Sequence, residues 1–323
     1  MRRVGVGGIT GSREAFYAIL VLMGVLLFVP QLHNGYLENL FRGILMFGAM
    51  SLGWNLIGGY TGYVSFGNVV FFGLGAYTAA VLSAHGLHNV LVAVAVAAVV
   101  AVIFATVFGI PILRLRGHYF GIATLGLALA TMEIISNLDY FGGGTGLTVR
   151  QDAFFSLYYY VMWAVCLGSL LATYAIARSK LGYAFVAIRE NEDAAAVLGI
   201  NTTFYKVAAW AISGIMAGAA GAVFAFANGF IDPDTAFSTD NNIFPIVMAL
   251  LGGAGTVAGP VTGALILTAI NETLWSHFPK IHTIFFGAVI VLVVLFLPRG
   301  ILHLFRARQT ARVFLESLRA YRV

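Results

Sequence analysis

RSKLGYAFVAIRENEDAAAVLGINTTFYK, residues 178–206, is a polar run set between two long apolar segments. It holds Arg178, Lys180, Arg189, Glu190, Glu192 and Asp193, followed by an alanine-rich turn ending at Gly199. The chain around it is oily. Of 323 residues, 60% are hydrophobic and only 10% are charged, where a soluble domain carries roughly 25% charged residues. Too little polar surface exists to coat a water-soluble globule, so lipid is the solvent for most of the chain. The fold class is therefore an all-α polytopic membrane protein, with 178–206 meeting water or another protein.

A spanning helix needs about 20 apolar residues. Working outward from the polar run, candidate spans fall near 15–32, 38–57, 69–84, 90–113, 119–136, 155–177, 205–227, 243–252, 259–275 and 283–297. Basic residues cluster at Arg2, Arg3 and Arg13, at Arg114 and Arg116, along Arg178–Arg189, and in the tail from Arg299. Cytoplasmic loops carry such an excess of Lys and Arg. About ten segments with both termini cytoplasmic put every basic cluster on one side. They leave 228–242, with Asp232, Asp234 and Asp240, on the other. The expected organisation is a cytoplasmic N-terminus over 1–14, a membrane domain over 15–298 interrupted by the 178–204 loop, and a basic tail over 299–323. The first apolar stretch is read as an uncleaved span, because Pro30-Gln31-Leu32-His33 follows it and no small-x-small cleavage site does.

Two places break the helical pattern with glycine, Gly58–Asn68 (GGYTGYVSFGN) and Gly252–Pro260 (GGAGTVAGP). Non-helical backbone cannot face lipid, because its unpaired amide groups cost several kcal/mol each. Paired glycine-interrupted segments therefore point to a transport pathway, with Gly59, Tyr60, Thr61, Gly62, Ser65, Gly67 and Asn68 on one break and Gly252, Gly253 and Gly255 on the other. LIGGYTG at 56–62 is echoed by LLGGAGT at 250–256, a hint of an internal repeat. Glu133 lies within the predicted span TLGLALATMEII. A carboxylate there is either a pathway or gating group, or a glutamate near the outer interface where the helix ends.

Several chemistries are excluded. The three lysines, Lys180, Lys206 and Lys280, follow Ser179, Tyr205 and Pro279, so none completes a Gly-Lys-Ser/Thr phosphate loop. Seven histidines lack HExxH or tight ligand spacing, which argues against a metal site. No Gly-x-Ser-x-Gly occurs, and the lone Cys166 cannot form a disulfide within the chain. No basic face interleaved with aromatics suits nucleic acid. The expectation is no enzyme, no catalytic residue, no cofactor and no metal.

Within the polar run, Asn191 is placed to cap a helix with Glu192 and Asp193 in its first turn, and Gly199 to end it. Such a short, smooth-faced helix suits a groove on a partner, or is an ordinary solvated loop helix. At Asp193-Ala194-Ala195-Ala196-Val197-Leu198-Gly199 the chain resembles the Glu-Ala-Ala-x-x-x-Gly loop of ABC-importer permeases, with Asp193 in place of the consensus Glu. It is similar in particular to the branched-chain amino acid permease family, which also includes urea and short-amide permeases. GYTGYVSFGNVVFFGLGAYTAA at 59–80, LRGHYFGIATLGLALA at 115–130, GGGTGL at 142–147, GFIDP at 229–233 and LLGGAGTVAGPVTGA at 250–264 carry the likeness in family order.

The resemblance implies an inner-membrane importer subunit working with a second homologous permease subunit, two ATP-binding cassette subunits and an extracytoplasmic solute-binding protein. Glu190, Glu192, Asp193, Ala194, Ala195 and Gly199 would transmit ATPase closure, and the two glycine breaks would line or hinge the pathway. A self-sufficient secondary transporter is the competing class, and a structural membrane-assembly subunit a third.

Overall fold

Alanine and glycine spacing decides how the spans pack. The computed structural model describes residues 13–151 and 155–277, together with 287, 288, 291, 300 and 301. In chain order the helices are α1 (Arg13–Leu26), α2 (Gly35–Trp54), α3 (Asn68–Ala84), α4 (Val90–Ile112), α5 (His118–Asn137), α6 (Phe155–Ala177), α7 (Lys180–Glu190), α8 (Glu192–Val197), α9 (Thr202–Asn228), α10 (Pro233–Ala236), α11 (Thr239–Gly252) and α12 (Gly259–His277). Among the described residues, six segments are long and apolar enough to cross a membrane: Glu14–Leu32, Gly35–Tyr60, α4, α5, Ser156–Ala177 and α9. Of the other predicted spans, α3 has 17 residues and α11 has 14. At 1.5 Å per residue, α11 reaches only about 21 Å, short of a bilayer core. The predicted span 283–297 and the basic tail lie largely outside the described residues.

The second span and α9 form the centre, with 72% and 67% of their apolar windows buried, against 28% for α4. Helices associate in lipid through small residues that let backbones approach. On α9 these are Gly214, Ala217, Gly218 and Gly221, and Gly75 of α3 meets Gly218 so closely that a Cβ at Gly75 would overlap the Gly218 carbonyl. Peripheral α4 shows the same logic turned outward. Ala93, Ala97, Ala101, Ala105 and Gly109, spaced by four, face inward, while Val99, Val102, Ile103 and Val107 are exposed.

The connections gather at two ends. At one, β1 (Leu147–Thr148) pairs antiparallel with β2 (Phe230–Ile231), Leu147 opposite Ile231. This ladder, too short to register in an all-α reading, joins the GGGTGL and GFIDP stretches. Nearby the Arg150 amide donates to Ser83 Oγ, and Gln151 Nε2 donates to the Phe226 and Ala227 carbonyls. At the other end lie the 61–67 segment, the turn after α4, the α7–α8 corner, the 253–258 turn and Gly300, whose backbone rests on Gly253.

Candidate coupling site

The first glycine break starts as a change of helix type. Asn55–Tyr60 continues α2 as a π-turn, a form frequent at functional sites, and only 61–67 is non-helical. Asn55, fully buried, is what this turn presents to the second break. Its Oδ1 accepts from the Gly255 amide at 2.7 Å and its Nδ2 donates to the Thr256 carbonyl at 2.8 Å. The two breaks therefore form one junction. Arg189, in the last turn of α7, reaches into it and donates from an Nη to the Gly59 carbonyl at 3.0 Å. Its side chain lies against Gly62 (φ +76°) and Gly255 (φ +76°), where a Cβ would meet it at 2.8 and 2.9 Å. Both glycines hold the left-handed backbone that other residues rarely adopt.

The next turn begins at Asn191, which caps α8 by accepting from the Ala194 amide at 3.0 Å. Glu192 turns inward from the first position of α8. Its Oε1 accepts from Lys206 Nζ at 2.7 Å, and its Oε2 accepts from the Tyr63 hydroxyl. Lys206, in the second turn of α9, is 3% exposed at its side chain. It also donates to the Leu113 carbonyl at 2.7 Å and to Tyr63 Oη at 3.2 Å, and its ammonium sits 4.7 Å from the Tyr63 ring centroid. All three ammonium protons thus have acceptors, as a buried charge requires. Burial pushes the Glu192 pKa up, but the bonds from Lys206 and Tyr63 and the nearby Lys206 and Arg116 charges outweigh it and hold the carboxyl below its usual range. Arg116 completes the corner with an ion pair to Asp193 at 2.9 Å.

These contacts sort the predicted coupling residues. Glu190 and Asp193 are outward, at 70% and 77% side-chain exposure. Ala194 and Gly199 are also exposed, whereas Ala195 is buried and Glu192 is bound to the bundle. Val197 and Leu198 are exposed at 88% and 81%, so α8 presents an apolar tip beside two carboxylates.

Most of the predicted pathway residues lie inside the bundle. Gly59, Tyr60, Thr61, Ser65, Gly67, Asn68, Gly252, Gly253 and Gly255 are buried in packing. Asn68, for example, accepts from Ser213 Oγ at 2.8 Å. Gly62 borders a groove of about 750 Å³ whose walls include Tyr63, Val64, Phe66, Ile122 and Leu125. Glu133 is exposed and accepts from Asn137 at 2.9 Å at the C-terminal end of α5; it is not brought to the junction. Among the described residues no group of three or more His, Cys, Asp or Glu is placed to hold a metal. Asn55, Tyr63, Arg116, Arg189 and Lys206 were not among the expected site residues, although Lys206 is a cation next to a span, where a buried partner is the rule.

The fold is a multi-pass helical membrane bundle, with a small helix standing out beside two joined backbone breaks. The chain belongs to the family described as the permease component of branched-chain amino acid transport systems, which it matches over residues 36–294. It is 28% identical over 289 residues to the high-affinity branched-chain amino acid transport system permease protein LivM of Escherichia coli K12, covering 80% of this chain and 68% of that protein. It is 26% identical over 296 residues to LivH of Salmonella typhimurium LT2, covering 83% and 95% of the two chains. A shorter match, 34% over 116 residues and 35% of each chain, is to the autoinducer 2 import system permease protein LsrC of Photorhabdus laumondii. No solved structure matches the chain.

Proposed function

We propose that this chain is a transmembrane subunit of an ATP-driven importer for branched-chain or related amino acids. It sits in the cell inner membrane with both termini cytoplasmic. ATP hydrolysis is on two cassette subunits that dock at α8, a second homologous permease completes the pathway, and an extracytoplasmic binding protein delivers the solute. The observation that carries this reading is the tip of α8, where Val197 and Leu198 stand exposed next to Glu190 and Asp193. An apolar tip ringed by charge is the composition of a surface that enters a partner's groove. Family membership supports the solute class.

Purification of the complex in mild detergent tests the docking. Two ATP-hydrolysing polypeptides are expected to copurify, and Leu198→Asp is expected to release them while the bundle stays monodisperse. Copurification undiminished by Leu198→Asp, or no ATPase with the unmutated chain, overturns the proposal. Competition of labelled leucine uptake by isoleucine, valine and urea then ranks the solutes.

A further inference from the structure

A second set of contacts joins the same corner to the groove, and it rests on the docking reading above. Tyr63 forms part of the groove wall, yet its hydroxyl is bound to Glu192 of α8 and its ring is covered by the Lys206 ammonium. Lys206 in turn holds the Leu113 carbonyl at the end of α4, five residues before α5 begins, and α5 supplies the opposite wall through Ile122 and Leu125. Both walls are therefore tied, through one buried ammonium and one carboxylate, to the helix that meets the ATPase. We infer that Tyr63, Glu192 and Lys206 form a positioning latch, whose making and breaking sets the separation of the groove walls according to the position of α8.

The geometry supports a latch over a passive strut. The tyrosine lies in the non-helical 61–67 segment, while Lys206 is fixed on α9, one of the two central helices of the bundle. A carboxylate at the edge of the buried zone, 13% exposed, can leave its partners toward water; an ammonium 3% exposed cannot. The moving part is thus Glu192 together with α8, and Tyr63 is the part it releases.

Tyr63→Phe tests this in the assembled transporter in nanodiscs and proteoliposomes. The change removes the hydroxyl and leaves the ring on the groove wall. Ile122→Cys supplies a reporter, since the native Cys166 is buried and slow to label. With the tyrosine present, a non-hydrolysable ATP analogue is expected to change the rate of maleimide labelling at position 122. With Tyr63→Phe the expected result is retained ATPase subunits, a labelling rate indifferent to nucleotide, and leucine uptake per ATP hydrolysed lowered about tenfold, the scale of one hydrogen bond to a charged group. The paired variant Glu192→Gln with Lys206→Met, which leaves no buried charge unpaired, is expected to give the same uncoupled behaviour. Nucleotide-dependent labelling and uptake per ATP that survive Tyr63→Phe overturn the latch. So does loss of the ATPase subunits on Tyr63→Phe, which would make the tyrosine a docking strut. Failure of the unmutated complex to hold an ATPase refutes the proposed function instead.

Discussion

Neutralising one member of the Glu192–Lys206 pair is expected to cost more than neutralising both. In Lys206→Met the carboxylate loses its 2.7 Å partner but keeps Tyr63, keeps Arg116 at 3.9 Å, and has some access to water. In Glu192→Gln the ammonium stays 3% exposed, with the Leu113 carbonyl and a tyrosine hydroxyl as neutral acceptors. Breaking a buried pair costs about 3–5 kcal/mol because a charge is left uncompensated. We assign about 4 kcal/mol to Glu192→Gln and about 3 to Lys206→Met, the order following the depth of the stranded charge. The double variant strands neither, and its cost is expected near 2 kcal/mol, well below the sum of the singles. At roughly 2 °C per kcal/mol for a chain of this size, the singles lower the apparent melting temperature by about 8 and 6 °C and the double by about 4 °C. The assay is survival of the monodisperse chromatographic peak after heating at a fixed rate, with all four proteins in the same nanodiscs. Additive losses in the double variant, or either single melting within about 1 °C of the unmutated protein, would refute the reasoning.

Three further outcomes follow from the geometry. Asn55→Ala orphans the Gly255 amide and the Thr256 carbonyl, and is expected to cost about 2–4 kcal/mol and to expose the junction to proteolysis, read by limited digestion of the nanodisc-held protein. Glu133→Gln is expected to leave leucine uptake near the unmutated rate, since its side chain meets Asn137 at a helix end; a severe transport loss with normal expression would return Glu133 to the pathway. The depressed Glu192 carboxyl gives a pH dependence with a definite sign. Its stabilisation is fully present above the ordinary carboxylate pKa of about 4.3 and fades only as pH falls through the lower folded value. Melting temperature is therefore expected to be insensitive to this group between pH 5 and 8, and the loss below that range to be smaller in Glu192→Gln, which has no carboxyl to protonate.

Much of the bundle was legible because lipid imposes a coarse rule. Each predicted span from 15–32 to 259–275 falls on a helix, since an apolar run has no other way to satisfy its backbone in a bilayer. The glycine breaks were visible as residues, but their meeting was not, because it depends on Asn55 reaching across two hundred positions to Gly255. The cap at Asn191 and the stop at Gly199, which has φ +86°, are local chemistry and read directly. The inward turn of Glu192 is not local. Six residues of helix leave open which acidic group faces the bundle, and Lys206 fourteen positions later decides it. The alanine stripe of α4 went unread, because the uniform hydropathy of that helix hides which side is inner.

The short ladder between Leu147–Thr148 and Phe230–Ile231 has a mechanical consequence. It fastens the chain just beyond one end of α9, the end opposite Lys206. A rod of 27 residues is about 40 Å long. With that end held, a sideways shift of about 2 Å at Thr202 would correspond to a tilt of only about 3° over that length. The strand anchor thus resists large swings of α9, because any shift at its Lys206 end is divided over the whole rod.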